Sequence, residues 1–129
     1  SGTAKPLPPD AVVRDYVDAA QHGDYDGVCV RLTAIGRGQL WFALTGGTAG
    51  GRARLRSYLD SHGAVKDCPK LARDEHRTLK LLVAGAKPSR PDIAGDVAHV
   101  TTSGGVWNLR RNGGGGWAID RMPYPIPIR

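Results

Sequence analysis

Much that would announce a function is missing from this chain. It holds two cysteines, one phenylalanine and one methionine in 129 residues, and aromatic residues make up 6%. No apolar stretch reaches the roughly 18 residues that a bilayer-crossing helix needs. The histidines, His22, His62, His76 and His99, share none of the close spacings of a zinc site, so no metal is expected. No serine or cysteine sits in the sequence context of an activated nucleophile. The glycine run from Gly46 to Gly51 precedes a helical stretch, as a phosphate cradle does. It lacks the Lys-Ser/Thr ending and the preceding apolar strand, so it is read as a loop, and no cofactor is expected. Arg52, Arg54 and Arg56, beside the start of that stretch, keep the means to hold an anion. Basic residues never form a run of five, although the net charge is +6 and the pI about 9.7. That charge permits attraction to nucleic acid, anionic lipid or an acidic wall polymer. Its even spread favours a solvated basic surface instead, with thirteen Arg to five Lys as in chains from high-GC genomes.

What is present describes a fold. A length of 129 residues suits one domain that buries somewhat under ~70% of its unfolded surface. The eighteen glycines and nine prolines fall mainly at the ends and between periodic segments, so they punctuate elements. Ser1-Gly2 has the form left by a cleaved tag, and residues 1–9, with Pro6, Pro8 and Pro9, are read as a flexible tether or tag remnant. Any leader or anchor ahead of it is left open.

From Asp10 to about His22 an apolar stripe of Val12, Val13, Tyr16, Val17, Ala19 and Ala20 predicts a helix that Gly23 ends. Asp24 restarts as an N-cap. Tyr25, Val28, Cys29 and Leu32 then follow at helical spacing, which turns Cys29 inward. Leu40 to Leu44 is the most hydrophobic run, expected as a helix end under a sheet. A short helix is expected from Arg52 to Ser61 and another from Cys68 to about Gly85, with Leu71, Leu79, Leu82 and Val83 inward. The segment 86–93, with two prolines, is expected to be an irregular edge strand.

Asp96 to Met122 is read as a three-stranded antiparallel meander. In Val106 to Arg111 the period of two sends Trp107 and Leu109 to one face and Asn108 and Arg110 to the other. Trp117 and Ile119 are expected to face Trp107 and Leu109 across the pair, with Gly113 to Gly116 supplying the positive φ of the reversal. Helices first and strands last define an α+β domain over residues 10–122: N-terminal helices packed on a curved antiparallel sheet, a cone-shaped roll. The alternating prolines of residues 123–129 make a Pro-rich tail that cannot be a central strand.

Cys29 and Cys68 could join across 38 intervening residues, or stay as two buried thiols. For acid/base work the candidates are Tyr16, His99 and Asp120; in the competing view Tyr16 is core and the other two lie on the outer face or cap a strand end. Arg110, Arg111 and Arg121 alone do not make a nucleic-acid platform, because the neighbouring tryptophans belong to the core.

These patterns resemble the nuclear-transport-factor-2-like superfamily, also called cystatin-like, and within it the small extracytoplasmic domains of actinobacterial lipoproteins. The resemblance runs over about residues 9 to 122. It is carried by Val13-Arg14-Asp15-Tyr16-Val17-Asp18-Ala19 with Gly23-Asp24-Tyr25, by Val106-Trp107-Asn108-Leu109, and by Gly116-Trp117-Ala118-Ile119-Asp120. It implies a disulfide between Cys29 and Cys68, a secreted or surface-anchored location, and membrane attachment through an N-terminal anchor. It further implies a pocket at the open end of the cone, for which Tyr16, Trp41, Phe42 and Tyr58 are the expected lining. Members similar to ketosteroid isomerase set a first-helix tyrosine beside acidic groups, but here the stretch 36–44 that should carry an aspartate has no carboxylate. Three functions are therefore expected in order: a non-enzymatic domain holding a small apolar ligand or another envelope protein, a small isomerase or cyclase, and a docking domain of a secretion or conjugation machine.

Overall fold

Proline sets the first boundary of the computed structural model, which describes residues 7–44 and 68–123. Pro8 is extended, and Pro9 occupies the first helical position, where its missing N–H costs nothing. Helix α1 (Pro9–His22) thus starts one residue earlier than the sequence alone indicated and ends at Gly23, whose φ of 77° closes it in the left-handed region. The side chain of Asp24 accepts the N–H of Gly27 and starts α2 (Tyr25–Val30). Helix α3 (Ala34–Leu44), α4 (Cys68–Asp74) and α5 (His76–Val83) follow. The glycine loop at 46–51, Arg52, Arg54, Arg56 and the helix expected around them lie outside the described residues, as does the tail from 124 onward.

The strands are β1 (Pro91–Ala94), β2 (Val97–Thr102), β3 (Gly105–Arg111) and β4 (Trp117–Arg121), joined in that order as one antiparallel sheet. The expected meander is there, with the proline-bearing segment added as its outer strand. Alternation decides the faces: Ala98, Val100, Trp107, Leu109 and Ile119 are buried on the helix side, whereas His99, Thr101, Val106 and Arg110 are exposed on the other. Leu109 pairs with Ile119 as expected, but Trp117 lies opposite Arg111 and not Trp107. The reason is the turn. Asn112 Oδ1 accepts the N–H of both Gly114 and Gly116 at 3.0 Å, which fixes the register, and of the four glycines only Gly115 has a positive φ. The Arg111 guanidinium then covers the Trp117 ring, 4.3 Å from its centroid.

The helices close the apolar face. Tyr16 of α1 meets Trp107 edge to face at 5.5 Å between ring centroids, and both are almost fully buried. Trp107 Nε1 donates to Thr102 Oγ1 at 3.1 Å, so the indole is buried without stranding its donor. Gly36 lets α3 lie against the sheet, since a Cβ there would stand 2.5 Å from the carbonyl oxygen of Ile119. Cys29 and Cys68 form a disulfide with their Cα atoms 6.1 Å apart, tying α2 to α4.

Two helices differ from expectation. Leu32 fits the stripe of α2, yet the chain leaves the helix after Val30, and Arg31 to Thr33 run parallel to the outer edge of β4. Ile119 N–H donates to Arg31 O at 2.7 Å and Thr33 N–H to Ile119 O at 2.9 Å. Farther along, the Gln39 amide donates to Met122 O at 2.6 Å and accepts Met122 N–H at 2.7 Å. The single helix expected over 68–85 is divided at Glu75, where φ is −109° and ψ 31°. Next to the break, His76 Nδ1 donates to Arg73 O at 3.1 Å, a bond that competes for a carbonyl of the helical ladder.

Candidate functional site

The expected pocket residues reach different fates. Tyr16 is fully buried in the core against Trp107. Trp41 is half-buried on α3. The Phe42 side chain and Tyr58 lie outside the described residues. Between α1 and β3 the space is taken by the edge-to-face pair of Tyr16 and Trp107.

Nor are Tyr16, His99 and Asp120 gathered into one constellation. His99 is exposed on the sheet face away from the helices, where its Nδ1 bonds Asn108 Oδ1 on the next strand. Asp120 occupies a bulge, because Asn108 pairs with Arg121 and Leu109 already pairs with Ile119. Its Oδ1 accepts the Thr33 hydroxyl at 2.8 Å, and its Oδ2 lies 3.8 Å from Arg110 Nε. The same Thr33 hydroxyl accepts Gly36 N–H at 3.1 Å and so starts α3. Asp120 is thereby tied to the join of β4 and α3.

A polar row on the outer sheet face escaped the sequence reading. Asp92 pairs with His99, His99 with Asn108, and Asn108 with Arg121, so one line of cross-strand neighbours carries a carboxylate, an imidazole, an amide and a guanidinium across all four strands. Thr101 and Val106, also cross-strand partners, lie beside it, and Val106 is 48% exposed. The alternation placed Asn108 outward, but aligning it with His99, Asp92 and Arg121 requires the register, which no period in the sequence encodes. Such a row offers both charge signs and hydrogen-bonding groups of both kinds. It suits recognition of a polar surface better than burial of an apolar molecule.

Two concavities border the helices. One, of about 360 Å³, lies at the β2–β3 turn and the end of α5, lined by Leu81, Leu82, Ala86, Thr102, Trp107 and Pro123. The other, of about 450 Å³, runs between α1 and residues 85–88, with Arg14, Asp18, Gln21 and Lys87 on its walls. Among the described residues no cluster of three or more His, Cys, Asp or Glu could hold a metal ion. No family model, curated protein or solved structure matches the chain.

Proposed function

We propose that this is a non-enzymatic extracytoplasmic domain of nuclear-transport-factor-2-like type that holds another envelope protein on the outer face of its sheet. The observation that carries the reading is the contrast between the two faces. Tyr16 and Trp107 pack together on the helix side, while the opposite side presents Asp92, His99, Asn108 and Arg121 in one line. The Cys29–Cys68 bond supports an oxidising compartment, because cytosolic thiols are kept reduced. No described helix is long and apolar enough to cross a membrane. Attachment to the cell surface through an N-terminal anchor is what the resemblance implies. Docking within a secretion or conjugation assembly is a special case of this reading.

The cleft lined by Leu81, Leu82, Ala86 and Pro123 is the observation that favours a small apolar ligand instead. The test places a photo-crosslinking residue at Thr101, on the sheet face, or at Gln21, on α1, and irradiates intact cells of the native host. One defined adduct from Thr101 alone, lost on His99→Ala with Arg121→Ala, supports the reading. Adducts from both positions alike, or none, reject it.

A further inference from the structure

We infer that the exposed face of α4 and α5 docks on an anionic lipid bilayer. This surface is separate from the sheet face and does not depend on the reading given for it. Cys68, Ala72, Leu79 and Val83 are the buried side of the two helices. Away from them Lys70 and Arg73 stand about one turn apart on α4, Arg77 and Lys80 about one turn apart on α5, and all four are exposed. None of the four joins an ion pair among the described residues, whose salt bridges involve Arg14, Arg31, Arg110 and Arg111. Asp74 is the one exposed acidic group beside them and Glu75 is half-buried, so the four cations leave the two helices net positive.

Leu81 follows Lys80 and is 77% exposed, more than any other large hydrophobic residue described. Phosphate groups alone would explain the cations and leave the leucine without a role. A bilayer interface takes both: headgroup charge attracts the Lys and Arg, and an apolar side chain at the helix end enters the acyl boundary. Half-buried Leu82 and Pro123, beside Leu81 in the same cleft, extend that apolar end. A domain tethered near a membrane would thus be laid on it in one orientation.

The experiment is co-sedimentation of the full chain with vesicles of phosphatidylcholine alone or with about one-third phosphatidylglycerol. Binding is expected on the anionic vesicles only, and it should weaken as salt rises from about 0.05 to about 0.5 M. Lys70→Gln with Arg77→Gln should lower the partition coefficient about 25-fold, about fivefold per charge. Leu81→Ala should lower it about tenfold and leave the salt dependence unchanged. The control pair Lys87→Gln with Arg90→Gln removes equal charge from the exposed lead into β1 and should change binding by less than about twofold. Thermal melts confirm that each variant folds. Equal binding to neutral vesicles, no binding to anionic ones, or equal loss in the control pair overturns the inference. So does duplex DNA that binds more tightly and ignores Leu81→Ala, which would assign the face to nucleic acid.

Discussion

Replacing both cysteines by alanine, Cys29→Ala with Cys68→Ala, tests what holds the helical layer together. Helix α2 has six residues and α4 has seven, both too short to persist alone in water. Their disulfide closes a loop with a sequence separation of 39. In the chain-entropy treatment that closure removes about 13 cal/mol/K from the unfolded chain, or about 4 kcal/mol at 25 °C. Both cysteines are under a tenth exposed, so their loss also forfeits packing worth about 1 kcal/mol. Typical domains have about 5–15 kcal/mol in total, so a third or more of the stability is at stake. Equilibrium urea unfolding followed by tryptophan fluorescence is the assay. With a slope of about 2 kcal/mol/M the midpoint should fall by about 2.5 M. Wild-type protein measured with reductant should shift by nearly as much, which covers the case where the alanine pair does not fold. A shift below about 0.5 M in both samples would refute the reasoning.

Two further substitutions probe the seam between α3 and the sheet. Gly36→Ala sets a Cβ 2.5 Å from the Ile119 carbonyl oxygen, a backbone atom with little room to yield. It should cost about 1–3 kcal/mol, and a thermal melt showing less than about 0.5 kcal/mol would count against that contact. Gln39→Ala strips both partners from the Met122 backbone. A loss of about 1–3 kcal/mol and faster exchange of the Met122 amide are expected, and unchanged exchange would contradict the bidentate geometry.

The sheet was legible because its signals are local. The alternation within Val106 to Arg111 and again within Trp117 to Asp120 states which residues face inward, and the burial of Trp107, Leu109, Trp117 and Ile119 follows it. Gly23 and Asp24 mark a helix boundary by their own conformational preferences. The end of α2 was hidden because it depends on a distant segment: Leu32 satisfies the helical period, but hydrogen bonds with Ile119, far along the chain, draw Arg31 to Thr33 away from the helix. The break at Glu75 was hidden likewise, as Leu71, Leu79 and Leu82 keep helical spacing across it. For the candidate site the gap was wider. Alternation sets His99 and Asn108 on a face, but only the pairing register makes them neighbours, and the bulge that carries Asp120 leaves no trace in composition.

The two borders of the sheet are treated unequally. Along β4 the backbone is occupied by Arg31, Thr33 and the Gln39 amide, whereas β1 has no neighbour on its far side among the described residues. Among the described residues lateral growth is therefore directional, because an incoming strand finds open backbone at β1 and not at β4. That border is four residues long, opens with Pro91 and carries Asp92, so a short span, a missing donor and a charge all restrain templating there. A substitution such as Asp92→Val would relax that restraint at the one border where association can begin.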